Sequence, residues 1–255
     1  MTEFHLRDKT LTIPTTTDEL TPAQYQRFLL LSTIFAQGLI SGRDLHIRWL
    51  SFLIGLRLPW TEYREEIRLQ VESQHTAVDG FFDNNSPHLA TTLQKVPEME
   101  GWKAIGGDML DGLSWGAFTE ALDTLNMLRH IETAEESDAL YQQITRLLYT
   151  PPVSSVDVPQ QPSTLLVVAA VNHLLAVWNA IQHGPVSING EDVDIRIIFQ
   201  GGGHGADDKT GWAGITYEVA TDGAFGTVPE VRATSMWDVL LYLYKCKFEE
   251  IHRKK

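Results

Sequence analysis

The densest group of residues that could do chemistry lies in "QGGGHGADDKTG", residues 200 to 211. Consecutive backbone N–H groups in a glycine-rich loop can bind an anion. However, "GGGHG" lacks both the Gly-Lys-Ser/Thr of a phosphate-binding loop and the GxGxxG spacing of a dinucleotide site. The pattern therefore favours a mobile surface loop, and we expect no bound cofactor.

Aspartates in and before this loop offer a possible cation site. Asp192 and Asp194 precede the loop, and Asp207 and Asp208 lie within it. Carboxylate oxygens are preferred ligands of hard divalent cations, but aspartates in turns are usually solvated. The histidines show no HExxH, HxH or Cys/His spacing typical of zinc. We expect no metal site, with a divalent cation at these aspartates as the alternative.

No spacing predicts a catalytic group. Cys246 lies mid-helix between two lysines, which can lower a thiol pKa, but no histidine is placed by sequence to act as its base. The serines form no GxSxG motif. Glu249 and Glu250 are adjacent, so on a helix they point about 100° apart and cannot act as an acid/base pair. The sequence thus predicts no catalytic residue and no enzyme, the alternative being an enzyme that uses residues 201 to 208.

The composition narrows the classes of partner. The chain has 255 residues, with 20 basic and 33 acidic side chains and a net charge of −13. This charge opposes contact with nucleic-acid phosphates or anionic lipid headgroups. One cysteine excludes an internal disulfide framework and fits a reducing compartment, and the N-terminus has no secretory pattern. We therefore expect a cytoplasmic protein that binds neither nucleic acid nor membrane.

One long apolar segment covers residues 163 to 184. It has no charged residue but contains Asn172, His173 and Asn179. A membrane-spanning helix needs about 20 predominantly apolar residues. We predict a buried core helix whose polar side chains find hydrogen-bond partners, with a spanning helix as the alternative.

The first part of the chain contains a repeated pattern. Thr21 as N-cap before Pro22 predicts a helix that ends near Gly38, and Ser41 can cap a second helix. The stretch "DELTPAQYQRFLLL" from Asp18 aligns with "DGLSWGAFTEALDTL" from Asp111, so that Ser114 matches Thr21 as an N-cap. We interpret residues 1 to 150 as a helical domain with two similar helical hairpins, with chance similarity of two capped helices as the alternative.

The rest of the chain is predicted to form a second domain. Residues 150 to 164 carry four prolines and few large apolar groups, which is typical of a domain boundary. Residues 163 to 255 would hold the apolar helix, a small β-hairpin turning at Asn189 and Gly190, and a terminal helix. The predicted fold class is mainly α, with two similar helical hairpins plus a C-terminal helical part containing this hairpin.

The terminal helix "SMWDVLLYLYKCKFEEIH", with Ser235 as its predicted N-cap, carries an apolar stripe. Its members are spaced four, three, four and three apart, so they share one helix face; they are Trp237, Leu241, Tyr244, Phe248 and Ile251. Such a stripe packs either into its own core or into a groove of another polypeptide. We treat these five residues as the candidate partner-binding site.

Several stretches resemble a family of largely uncharacterised prophage proteins. They are "DELTPAQYQRFL", "DGLSWGAFTEAL" followed by "RLLYTPP", "GWAGITYEVATDGAFGTVPEV" and "MWDVLLYLYKCKFE". In gene placement that family is similar to tail-assembly chaperones, which coat the tape-measure protein before the tail tube polymerises. The present chain is longer than typical members of that group.

The resemblance implies a non-enzymatic role in phage morphogenesis. The expected partner is the tape-measure protein or another tail protein, with homo-oligomer formation possible. No catalytic motif is carried over from the family. A structural tail or connector component of the particle is the alternative.

Overall fold

The computed structural model describes residues 1–6, 9–56, 65–83, 86–153, 161–188, 191–199 and 210–253. Helices dominate these residues, and the sheets have two or three strands each. The predicted mainly helical class is therefore confirmed. The similarity of the two helical hairpins as copies of one unit stays a prediction.

The chain divides into two units, Met1–Thr91 and Thr92–Lys255. The sequence placed the boundary in the proline-rich stretch instead, and residues 154–160 of that stretch lie outside the described residues. The difference has a physical reason. Helices on both sides of that stretch pack together, and the strand Tyr149–Thr150 pairs with Trp102–Ala104, so these segments share one core. Proline density here marks an irregular connection within a unit.

The N-terminal unit opens with a β-hairpin. Strands β1 (Thr2–Leu6) and β2 (Lys9–Ile13) pair antiparallel, with Phe4 opposite Leu11. Phe4 and Ile13 are buried, which places one face of the hairpin against the core of this unit.

Helices α1 (Pro22–Ala36), α2 (Gly42–Leu53) and α3 (Glu65–Ser73) follow. The predicted caps of the first two are confirmed. Thr21 accepts a hydrogen bond from Gln24 N at 3.3 Å, and the Gln24 side chain accepts one from Thr21 N at 2.9 Å. Ser41 and Asp44 form the same reciprocal capping box at α2. These bonds satisfy backbone donors that a helix start otherwise leaves unpaired.

Aromatic side chains fill the core of the N-terminal unit. The ring centroid of Phe28 lies 4.8 Å from that of Trp49 and 5.4 Å from that of Phe81, and all three side chains are fully buried. Phe81 ends a 3-10 segment (His75–Phe81), which leads into the short strands β3 (Phe82–Asp83) and β4 (Ser86–Pro87). Tilted rings at these distances make favourable contacts beyond the apolar area that they bury.

The C-terminal unit contains the remaining elements. Its strands are β5 (Glu98–Met99), β6 (Trp102–Ala104), β7 (Tyr149–Thr150), β8 (Val186–Ile188) and β9 (Glu191–Val193). Its helices are α4 (Trp115–Leu128), α5 (Ala134–Leu148), α6 (Thr164–His183), α7 (Gly211–Thr221), α8 (Val228–Ala233) and α9 (Met236–Arg253). Strand β6 lies between β5 and β7, and β8 pairs antiparallel with β9 in the predicted hairpin. The turn residues Asn189 and Gly190 lie outside the described residues.

Layers of helices organise this unit. Helix α5 packs between α4 and α6, while α8 and α9 pack against α4, and α7 packs against α8. A 3-10 segment, Ile195–Phe199, packs against both α6 and α9. Ser114 caps α4 as predicted, by accepting a hydrogen bond from Ala117 N at 3.3 Å.

Candidate partner-binding surface

The start of α9 is fixed to the start of α4 by backbone hydrogen bonds. Trp115 N donates to Thr234 O at 2.7 Å, and Met236 N donates to Leu113 O at 2.9 Å. These bonds flank an isolated antiparallel bridge between Ser114 and Ser235. Ser235 Oγ also accepts a hydrogen bond from Trp237 N at 3.3 Å, which supports the predicted cap at this residue. The first turn of α9 is therefore held in place on both its backbone and its side chains.

The core-facing side of α9 is formed by Met236, Val239 and Leu240. All three are fully buried. Their partners include the segment Ile195–Phe199 and helix α4, both distant from α9 in sequence. These buried residues are spaced three and one apart along the helix, unlike the residues of the predicted stripe. The buried face of α9 is therefore not the face that carries the stripe.

The predicted stripe lies beside this core face and becomes more exposed toward the C-terminus. Trp237, Leu241 and Tyr244 are half-buried. Phe248 and Ile251 have exposed fractions of 44% and 38%. The first part of the stripe is thus partly used by the protein itself, whereas its last turns present apolar rings and branched carbons to solvent.

Trp237 is anchored by a strained loop. Its Nε1 donates a hydrogen bond to Met109 O at 3.0 Å. Met109 and Leu110 both have positive φ angles, 55° and 57°, a conformation that costs free energy in residues other than glycine. Met109 N in turn donates to Thr92 O at 2.6 Å. The loop therefore fixes the near end of the stripe and leaves the far end without such support.

Aromatic contacts order the far end of α9. The Tyr244 and Phe248 ring centroids are 5.9 Å apart, and the His252 ring stacks on Phe248 at 4.0 Å. Lys247 pairs with Glu250 at 2.9 Å, and Arg253 pairs with Glu249 at 3.2 Å. Ion pairs at this spacing stabilise exposed helices by about 0.2–0.5 kcal/mol each, which helps the last turns to stay helical.

Helix α6 is long and apolar enough to cross a membrane by length and composition, and half of its most apolar window is buried inside the protein. Its polar side chains differ in their partners. Asn172 donates a hydrogen bond to Val168 O at 2.8 Å, as the sequence led us to expect. His173 is buried, and its Nε2 has no hydrogen-bond partner among the described residues. Burial lowers the pKa of His173 to about 4, although the Asp108 carboxylate opposes the shift.

The residues that the sequence singled out for other chemistry are dispersed or engaged elsewhere. Asp194 accepts two hydrogen bonds from the Arg196 guanidinium, at 2.6 and 2.7 Å, which lower its pKa. Asp207, Asp208 and the glycine cluster lie outside the described residues. Across the described part of the chain, no group of three His, Cys, Asp or Glu side chains is placed to hold a metal ion. Cys246 is exposed on α9.

A cluster of tryptophans was missed by the sequence reasoning. The Trp212 ring lies 5.5 Å from Trp115, 5.7 Å from Trp178 and 6.4 Å from Phe118, measured between centroids. These residues come from three helices, α4, α6 and α7, so no spacing along the chain could group them. The number of tryptophans, seven in 255 residues, was the available signal.

Comparison with known proteins identifies no family for this chain. A scan against protein-family models, a search of curated proteins and a search of solved structures each found no match.

Proposed function

We propose that this chain is a non-enzymatic phage or prophage morphogenesis protein that binds another polypeptide through the exposed stripe of α9 in the host cytoplasm. The family resemblance suggests a tail-assembly chaperone, with the tape-measure protein as its partner. The proposal assigns the five stripe residues to binding and no residue to catalysis.

The observation that supports the proposal most is the separation of two apolar faces on α9. The helix is already attached to the core by the buried side chains of Met236, Val239 and Leu240. Phe248 and Ile251 are therefore not needed to hold it in place. Large apolar residues repeated at i, i+3 and i+4 are how helices bind in hydrophobic grooves. A partner that covered them would remove apolar surface from water, which stabilises a complex.

The proposal is tested by co-expression with the tape-measure protein encoded in the same phage or prophage. The double variant Phe248→Ser/Ile251→Ser removes the two most exposed stripe residues. Full burial of one such side chain contributes about 1.5–3 kcal/mol, so the partly buried pair should weaken binding by at least roughly tenfold. Loss of the complex on affinity purification, with an unchanged circular dichroism spectrum, is the expected result.

A matched control removes similar apolar surface elsewhere. Leu39 and Met127 have exposed fractions of 69% and 54% and lie on neither face of α9. The double variant Leu39→Ser/Met127→Ser should bind like the unmodified protein. Deleting all of α9 would be a poor test, because it would also remove Met236, Val239 and Leu240 from the core.

Three outcomes would change the proposal. Equal co-purification by both double variants would mean that the stripe is not the binding surface. Detection of the protein in mature virions at fixed stoichiometry would favour a structural tail or connector component over a chaperone. Self-association that only Phe248→Ser/Ile251→Ser abolishes, seen by light scattering, would identify a second copy as the occupant of the stripe.

A further inference from the structure

A cleft of about 300 Å³ lies between α4, α7 and α8 in the C-terminal unit. Its charged lining residues are Glu120 and Asp123 from α4 and Arg232 from α8, and its aromatic walls are Trp212 and Tyr217 from α7. The cleft is separate from the α9 stripe, and none of its lining residues belongs to that helix. Whatever binds here would therefore be recognised by different side chains.

The charges in the cleft leave one carboxylate uncompensated. Glu120 and Arg232 form an ion pair, with Oε2 and the guanidinium Nη2 3.3 Å apart. Asp123 makes no hydrogen bond or ion pair among the described residues. Neighbouring atoms partly desolvate the Asp123 carboxyl, and this desolvation, followed by the like charge of Glu120, raises its pKa. Asp123 is exposed to solvent in the cleft, so its carboxylate is accessible to a cation, whose charge would offset the repulsion by Glu120.

The Trp212 side of the aromatic wall is held in position before any ligand arrives. The Trp212 ring packs edge-on against Trp115 and Trp178, with interplanar angles of 83° and 75°. Trp115 Nε1 donates to Thr216 Oγ1 at 2.9 Å, and that hydroxyl donates to Trp212 O at 2.8 Å. Trp212 is half-buried, and Tyr217 is 63% exposed. A Trp212 ring that is already fixed near a carboxylate lowers the ordering cost of binding a cationic group.

We propose that this cleft binds a primary alkylammonium group, with Asp123 as its counter-ion and the rings of Trp212 and Tyr217 as its aromatic wall. An ammonium ion is attracted both by a carboxylate and by the face of an aromatic ring. Its N–H groups also need acceptors, which the carboxylate oxygens and the Tyr217 hydroxyl can supply. An anionic ligand would be repelled by Asp123, and a neutral apolar ligand would leave that carboxylate unpaired.

An alkylammonium group can come from a free amine or from a lysine side chain of a polypeptide. The two sources share their charged end and differ in the peptide groups that flank the lysine. The test therefore uses butylammonium and the peptide acetyl-Gly-Lys-Gly-amide as probes, with the full-length protein. The same peptide acetylated on its lysine Nε, which keeps the alkyl chain but removes the charge, is the neutral control.

Binding is followed by ¹H–¹⁵N NMR through the assigned indole N–H resonance of Trp212. We expect saturable shifts with both charged probes and none with the acetylated peptide. Asp123→Asn should weaken binding roughly threefold to tenfold, because it removes the counter-ion while keeping the side-chain shape. Asp138→Asn, at an exposed carboxylate on α5, is the matched control and should leave binding unchanged.

The outcomes distinguish a polypeptide ligand from a free amine, and both from a cleft that does not recognise an ammonium group. Tighter binding of the lysine peptide than of butylammonium would identify a polypeptide source, and equal binding would identify free amines. Equal shifts with the charged and acetylated peptides, or equal weakening by Asp123→Asn and Asp138→Asn, would overturn the proposal. If Asp123→Asn does not fold, the comparison of the two peptides on the unmodified protein still decides. The α9 variant Phe248→Ser/Ile251→Ser should bind the probes normally, so this proposal and the proposed function can fail separately.

Discussion

Helices α1 and α4 begin with matching sequence patterns but have different roles in their own units. Thr21 caps α1 and Ser114 caps α4. At the aligned positions that follow, each pair is buried in both helices: Tyr25 with Phe118, and Leu29 with Leu122. The shared pattern therefore encodes the same local structure twice, a capped helix with one apolar face.

The difference lies at the first residue of each helix. Pro22 in α1 has no backbone N–H to donate, and its side chain is exposed. Trp115 in α4 donates its backbone N–H to Thr234 O at 2.7 Å, and its fully buried ring contacts Trp212. Trp115 thus strengthens the attachment of the C-terminal helices to the start of α4, beside the backbone contacts of Leu113 and Ser114. A helix start becomes a tertiary junction when its first N–H and side chain remain available.

The largest expected effect comes from removing the side-chain part of this junction, the buried ring of Trp115. Trp115→Ala would leave a cavity and leave Thr216 Oγ1 without its donor, which should lower the free energy of unfolding by about 3–5 kcal/mol. Hydrogen exchange measured by mass spectrometry should show lost protection in α7, α8 and α9. Pro22→Ala, at the aligned exposed position, should change stability by at most about 1 kcal/mol. Equal effects of the two substitutions would remove the distinction between the two helix starts.

The second-largest expected effect is on stability at low pH, and it is predicted by comparing one buried histidine in each unit, His46 and His173. Burial lowers the pKa of both, but His46 Nδ1 lies 3.4 Å from Asp79 Oδ1, which opposes the shift, whereas the Nε2 of His173 has no partner among the described residues. The pKa of His173 is about 4 in the folded protein, against an ordinary histidine value of 6.5. Because the folded state favours the neutral ring, its contribution is intact above about pH 6.5 and is lost as pH falls from there toward 4. The loss approaches about 3 kcal/mol.

Urea unfolding between pH 4 and pH 7.5 measures this loss. His173→Leu should flatten the pH dependence of the unfolding free energy, and at pH 7.5 it should be neutral or stabilising, because it removes a buried unpaired nitrogen. His46→Leu should flatten the curve less, since the nearby Asp79 carboxylate favours the protonated ring. Parallel pH curves for the unmodified protein and His173→Leu would show that His173 does not control acid stability.

Local chemistry was predictable from the sequence to a greater extent than the tertiary arrangement. The caps at Thr21, Ser41 and Ser114 follow from interactions within three residues, so a single chain segment contains the necessary information. The buried side of α9 did not follow, because that helix is apolar on more than one face. Only the packing of the distant segment Ile195–Phe199 and of α4 makes Met236 and its neighbours the core side. The Trp212 cleft escaped prediction for the same reason, since its walls come from separate helices.

The smallest expected effect comes from a substitution on α4 that tests how closely α8 approaches this helix. A Cβ atom added at Gly116 would lie 3.0 Å from Arg232 O and 3.1 Å from Arg232 Cβ, so α8 would have to shift. Overpacking of this kind costs about 1–3 kcal/mol, while alanine is favoured over glycine in a helix by about 1 kcal/mol. We therefore expect Gly116→Ala to lower the unfolding free energy by about 1 kcal/mol. At Gly42, the first residue of α2, the nearest atom to an added Cβ is Phe35 Cε2 at 3.9 Å. Gly42→Ala should be neutral or stabilising in the same urea unfolding assay, and destabilisation by both substitutions would mean that contact with α8 is not what requires glycine at position 116.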